Sequence, residues 1–102
     1  MKRTPAIFSR SSGNVFRDLG FPPVEAENLK IRSDLMVALS KLIERRGLTQ
    51  VQAASALGVT QPRISDLVRG KIDRFSLDTL VAMLGHAGVR VRLVLPRRVR
   101  VA

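Results

Sequence analysis

The chain has 102 residues with a formal net charge of +10 at pH 7, and it contains no cysteine. This length accommodates one domain with a modest core, and the lack of cysteine excludes disulfide bridges and thiolate metal sites. No run of 18 or more apolar residues occurs, and no long apolar segment follows the basic start MKRTPAIF, so we expect a cytoplasmic protein.

The first 22 residues show neither a helical nor a strand period, and their clusters of Ser, Gly, Asn and Pro predict an irregular N-terminal arm, residues 1–22. Three of the four phenylalanines of the chain lie here, at Phe8, Phe16 and Phe21. These rings either cover the core of the same domain or of a dimer partner, or they order the arm on a different protein. The composition leaves both interpretations open.

A globular domain is predicted over residues 23–88, and it begins with a long helix that Gly47 ends. Acidic residues early and basic residues late in this helix suit its dipole. Apolar residues at helical spacing indicate the face that is buried in the core. This stripe is formed by Leu35, Leu39, Leu42, Ile43 and Arg46, with Met36 beside it.

Two short helices joined by a tight turn are predicted within residues 49–70. Thr49 and Gln52 form a capping box at the start of the first helix, and Gly58 allows the left-handed backbone that ends it. The methyl side chain of Ala54 lets the two helices cross closely. The spacing therefore predicts a helical hairpin with its second helix starting two residues after the first stops.

A further helix is predicted after a short polar loop at residues 71–74. Ser76 caps this helix, and Phe75 is expected to pack onto Leu80 as a hydrophobic staple. His86 lies at the far end of the helix. Because no second His, Cys or carboxylate stands at ligand spacing, we interpret His86 as a capping or surface residue rather than a metal ligand or a catalytic group.

A strand followed by a basic tail is predicted over residues 89–102. The alternation VRVRLVL places Val89, Val91 and Leu93 on one face, and such a strand has no partner within a helical domain, so we expect it to pair with a second copy in a homodimer. The segment holds five arginines and no acidic residue. This indicates a polyanionic partner, unless the charge serves solubility alone, and nucleic acid fits better than a membrane because no basic helix rich in Trp or Phe is present.

Seven positions within the predicted helical hairpin carry a resemblance to a known family. They are Gln50, Ala54, Gly58, Thr60, Ile64, Leu67 and Gly70. This spacing resembles the helix-turn-helix of the Cro and phage-repressor family, also called the XRE family. The resemblance implies an all-α, five-helix domain of the lambda-repressor type. The alternative is that the two helices of the hairpin belong to the core of another all-α domain and have no role in DNA binding.

The N-terminal arm, ENLKIRSDLM, TQPRISDLVRGK, FSLDTL and the VRVRL strand together resemble small XRE-type antitoxins of the HigA kind. Such a protein, by resemblance, represses its own operon and neutralises a RelE- or HigB-like messenger RNA endonuclease toxin. Phe8, Phe16 and Phe21 are then the candidate toxin anchors. One alternative is a stand-alone or phage-type regulator without a toxin partner. Another is an interaction protein whose helix-turn-helix no longer binds DNA. The basic residues Arg63, Arg69 and Lys71 argue against it, because a helix-turn-helix that has lost DNA binding would have no reason to keep them.

By the same resemblance, the second helix of the hairpin enters the major groove of a palindromic operator. Arg63 would then bind a guanine and Gln61 an adenine, while Asp66 would accept from a cytosine or orient Arg63. Helix N-termini and the loop after the second helix are expected to contact phosphates. The residues at these positions are Gln50, Thr60, Arg69 and Lys71. The chain shows no catalytic motif, and we expect no enzymatic activity, cofactor or metal.

Overall fold

A computed structural model describes residues 14–95, and the regular structure in this range is entirely helical. The five α-helices are α1 (Val15–Asp18), α2 (Pro23–Arg45), α3 (Gln50–Leu57), α4 (Gln61–Val68) and α5 (Leu77–His86). A 3₁₀ turn at Ile72–Arg74 connects α4 to α5. None of these helices is long and apolar enough to span a membrane. The predicted all-α, five-helix architecture is confirmed over this part of the chain.

The hydrophobic core lies where α2 meets the α3 and α4 pair and α5. Its largest fully buried side chains are Leu39, Leu57, Ile64, Leu67, Phe75, Leu80 and Met83. Each such side chain stabilises the fold by about 1.5 to 3 kcal/mol relative to an exposed one, so the core is what holds α4 in place. The apolar stripe predicted on α2 is confirmed, except that Arg46 lies exposed just beyond the helix.

The hairpin of α3 and α4 follows the capping signals in the sequence. The Thr49 hydroxyl accepts from the Gln52 N–H at 3.1 Å, and the Gln52 side-chain oxygen accepts from the Thr49 N–H at 2.9 Å, which completes the predicted capping box. Gly58 ends α3 in the left-handed conformation, at φ +71°. Ala54 is buried at the contact with 8% of its surface exposed, so a larger side chain there would separate the helices.

The N-terminal arm, residues 1–22, was predicted to be irregular, and residues 1–13 lie outside the described residues. The prediction is wrong at Val15–Asp18, which form α1 and pack against α2. The Asn14 side-chain oxygen accepts from the N–H groups of Phe16 at 2.9 Å and Arg17 at 3.2 Å, and it thereby caps α1. The Asn14 amide nitrogen also donates to the carbonyl of Ala26 at 3.1 Å. A buried asparagine thus starts the helix and attaches it to α2. A helix of four residues is too short to show a hydrophobic period, so the sequence pattern did not predict it.

The strand predicted over residues 89–95 is also wrong, since no strand occurs among residues 14–95. The Val89 N–H donates to the Leu84 carbonyl at 2.9 Å, which closes the end of α5. Beyond it, Val91 and Leu93 are 41% and 82% exposed. A strand is defined by its hydrogen-bonded neighbour, and the described helices offer none within the single chain. The basic tail from residue 96 onwards lies outside the described residues.

Candidate nucleic-acid interface

Helix α4 has one buried side and one polar side. Ile64 and Leu67 are 0% and 1% exposed, and they fix the helix to the core. Gln61 is exposed in the first turn, while Arg63 and Asp66 are partly exposed farther along. The three predicted base-contacting residues therefore lie on α4 outside the core, and burial of the opposite side holds the helix rigidly.

Arg63 and Asp66 both contact the loop that follows α4, residues 71–75. The Arg63 Nη1 donates to the Arg74 carbonyl at 3.0 Å, and its guanidinium carbon lies 5.4 Å from the centroid of the Phe75 ring. The Arg74 Nη1 donates to the Asp66 Oδ2 at 3.2 Å. The structure thus brings two of the predicted base-contacting side chains together through a residue that the sequence did not single out.

The predicted phosphate-contacting residues lie at two helix starts and after the end of α4. Gln50 is the first residue of α3, and Thr60 is the N-cap of α4. Although Thr60 has the extended backbone of an N-cap, its side chain makes no capping hydrogen bond. Arg69 follows α4 directly, and Lys71 follows Gly70, where φ is +73°. The free N–H groups of a helix start favour anions, so the placement of Gln50 and Thr60 suits phosphate oxygens.

Arg32 of α2 also contacts the 71–75 loop. Its Nη1 donates to the carbonyls of Ile72 at 3.2 Å and Phe75 at 3.1 Å, while its Nε donates to the Asn28 side-chain oxygen at 2.7 Å. The sequence analysis missed Arg32 because its acceptors in the loop are main-chain carbonyls 40 and 43 positions away. A contact with a distant main-chain carbonyl has no sequence signature. Arg74 was missed as well. The signal in the sequence that could have indicated its role is the opposite charge of Asp66 on the preceding helix, α4.

The charge of this region is basic. Between residues 60 and 75 there are four basic side chains, Arg63, Arg69, Lys71 and Arg74, against two acidic ones. The acidic residue on α4 is already paired with Arg74. Within residues 14–95, no group of three or more His, Cys, Asp or Glu side chains is placed to hold a metal ion. The arrangement therefore suits the binding of a polyanion through direct hydrogen bonds and charge.

Comparisons with known proteins place this geometry in a family. A family model described as a helix-turn-helix domain matches residues 15–95. A solved structure, of a protein described as a candidate XRE family transcriptional regulator, is 34% identical with a TM-score of 0.68, and the match covers 76% of this chain and 90% of that one. The chain belongs to the XRE helix-turn-helix family. No curated protein matches the sequence significantly.

In this XRE-family protein, the two described phenylalanines of the predicted toxin site lie beside each other at α1. The rings of Phe16 and Phe21 are in a T-shaped arrangement with centroids 6.1 Å apart. Phe16 is partly buried and lines a mostly apolar cleft of about 550 Å³ together with Met36, Val68 and other residues of α2 and α4. Phe21 is 39% exposed. The third predicted anchor, Phe8, lies outside the described residues.

Proposed function

We propose that this XRE-family protein is a sequence-specific DNA-binding transcriptional repressor. The observation that carries the proposal is the placement of α4, which is fixed to the core on one side and presents polar side chains between basic flanks on the other. An α-helix of this kind fits the major groove, where each base pair presents a distinct pattern of donors and acceptors. In this role the protein needs no catalysis, and it would act at the nucleoid in the cytoplasm.

Base reading is proposed for Gln61, Arg63 and Asp66. The Arg63 guanidinium has five N–H donors, of which one is engaged by the Arg74 carbonyl, so donors remain for the O6 and N7 of a guanine. Gln61 is exposed and suits an adenine. Asp66 is paired with Arg74, which favours the interpretation that it orients neighbouring side chains over direct acceptance from a cytosine.

Phosphate contacts are proposed for Gln50, Thr60, Arg69 and Lys71. Thr60 has a hydroxyl that makes no capping bond and is thus able to donate to a phosphate oxygen at the start of α4. Arg69 and Lys71 flank the turn after α4 and carry the positive charge that a DNA backbone requires. Such contacts fix the register of the helix in the groove and supply affinity without sequence information.

Two finer features are part of the proposal. A homodimer on a palindromic operator is supported by the exposed apolar side chains after α5, among them Val91, Leu93 and Leu95, which a second copy would cover.

An antitoxin role is supported by the aromatic pair at α1 and the exposed Leu19, which together form an apolar surface for a toxin of the RelE or HigB kind. A stand-alone regulator without a toxin partner is the alternative.

Selection from random DNA tests the proposed function. The full-length protein is expected to enrich an inverted repeat, and its affinity for that repeat is expected to fall steeply with added salt because phosphate contacts release counterions. Enrichment of no sequence, with equal affinity for all duplexes at every salt concentration, would refute it. Competition with the DNA upstream of its own gene then tests autoregulation.

A further inference from the structure

Helix α4 and the 71–75 loop are joined by two reciprocal contacts at Arg74. The main chain of Arg74 accepts a hydrogen bond from the Arg63 side chain at 3.0 Å. The side chain of Arg74 pairs with the carboxylate of Asp66 at 3.2 Å. Arg63 and Asp66 are three positions apart on α4, so both project from the same side of that helix. Arg74 therefore contacts each of them without lying on the helix itself.

The Arg74 to Asp66 pair is unequal in exposure. The Asp66 side chain is 16% exposed, whereas that of Arg74 is 52% exposed. Arg74 thus supplies the positive charge that compensates a largely shielded carboxylate beside the reading helix. Without it, the carboxylate has two basic side chains at helical spacing, Arg63 three positions before it and Arg69 three positions after it. Opposite charges at i and i+3 on a helix attract each other, so Arg63 would be drawn toward the acid.

We propose that Arg74 is a positioning residue for base reading, an inference that rests on the proposed DNA-binding function. Its guanidinium pairs with the Asp66 carboxylate, and its carbonyl accepts a hydrogen bond from Arg63. Arg63 is thereby kept from pairing with Asp66 and is directed toward the major groove of the DNA. Asp66 then orients Arg63 through Arg74 rather than by direct contact. Discrimination at the base that Arg63 reads therefore depends on Arg74.

The loop is anchored independently of the Arg74 side chain. Arg32 donates to the carbonyls of Ile72 and Phe75 on either side of it, and the Phe75 ring is 1% exposed. Replacing the Arg74 side chain consequently leaves the Arg74 carbonyl in place. Arg74→Gln removes the ion pair while keeping the hydrogen bond that the carbonyl accepts, which makes it a specific test.

The test measures relative dissociation constants for the selected operator and for its single-base variants at the pair whose discrimination is lost in Arg63→Ala. Arg74→Gln is expected to reduce discrimination at this pair about tenfold, because a misdirected arginine loses its paired contacts to guanine. Adding Asp66→Asn to Arg74→Gln should restore most of it, since a neutral amide no longer attracts Arg63. Arg74→Lys keeps the charge and should stay near the wild type.

Arg69→Gln is the matched control, because it removes the same charge from an exposed residue just beyond α4. It should weaken all sequences alike. If Arg74→Gln also weakens every sequence equally and Asp66→Asn restores nothing, Arg74 acts only through charge and the inference is overturned while the proposed function stands. If the wild type shows no sequence preference, both are overturned.

Discussion

Gly58 lies directly against the imidazole ring of His86, and a Cβ built on Gly58 would stand 2.8 Å from two atoms of that ring. The contact joins the turn between α3 and α4 to the last residue of α5. Gly58 therefore meets two requirements at once, since its φ of +71° also lies in the left-handed region that favours glycine. His86 is exposed, as predicted, and it nevertheless packs over the turn of the helix-turn-helix.

Gly58→Ala is expected to destabilise the protein more than Gly47→Ala. Gly47 has a φ of +63° with nothing within 4 Å of an added Cβ, so its substitution should cost only the left-handed backbone penalty of about 1 to 2 kcal/mol. Gly58→Ala adds the cost of displacing the exposed ring of His86, which lies 2.8 Å from the added Cβ. Urea unfolding of both variants in wild-type and His86→Ala backgrounds measures this, and an unchanged difference after His86→Ala would contradict the packing role.

Arg63→Ala and Lys71→Ala are expected to affect DNA binding differently. Loss of a forked contact to one base should reduce discrimination at a single position by about 1 to 3 kcal/mol in Arg63→Ala. Lys71→Ala should weaken all sequences alike and lower the salt slope by about one, because one phosphate contact is lost. Titration of operator and random duplexes at several salt concentrations separates the two effects. Equal losses on both duplexes for both variants would refute these roles.

Asn14→Ala is expected to release α1 from α2. It removes both the N-cap of α1, a loss of about 0.5 to 2 kcal/mol, and the hydrogen bond to the Ala26 carbonyl. Asn14→Asp separates these contributions, since its carboxylate keeps the cap but has no donor for Ala26. Limited proteolysis near Arg17 should be fastest for Asn14→Ala and intermediate for Asn14→Asp. Identical cleavage rates in all three proteins would show that Asn14 does not hold the helix.

Phe21→Ser is expected to abolish binding of the candidate toxin while leaving operator affinity nearly unchanged. Phe21 is partly exposed beside Phe16, and a buried aromatic side chain often carries much of the energy of an interface. Val81→Ser is the matched control, because Val81 is 43% exposed and lies on a different helix, α5. Co-purification with the product of the neighbouring gene and rescue of growth provide the measurement. Toxin capture that survives Phe21→Ser but fails in Val81→Ser would move the binding surface to α5.

Leu93→Glu is expected to weaken the proposed homodimer without affecting the stability of the monomer. Leu93 is 82% exposed, so a charge there costs the single chain little, whereas burial against a second copy would make it unfavourable. Val24→Glu serves as the control, since Val24 is 84% exposed at the start of α2. Sedimentation over a range of concentrations measures the association. A dimer unchanged by Leu93→Glu but lost in Val24→Glu would place the interface at α2.

The sequence alone determined most of the helical framework and the family. The signals that end and begin helices are local: the capping box at Thr49, the left-handed Gly58 and the Ser76 cap. Each involves residues only a few positions apart, so the sequence shows all of its components within one short segment. The buried face of α2 followed from periodicity for the same reason, because residues of one helical face recur at fixed spacing. Those local signals were sufficient to identify the hairpin and to locate α4.

Tertiary structure decided the features that depend on distant main-chain atoms. Arg32 contacts carbonyls 40 and 43 positions away, and Asn14 reaches the Ala26 carbonyl 12 positions away. Every residue carries a carbonyl, so no sequence pattern indicates which of them a side chain will meet after folding. The predicted strand was wrong for a related reason, since alternation selects the face of a strand but only a neighbouring chain segment supplies its ladder. The pairing of Asp66 with Arg74 likewise arises because the core places the 71–75 loop beside α4.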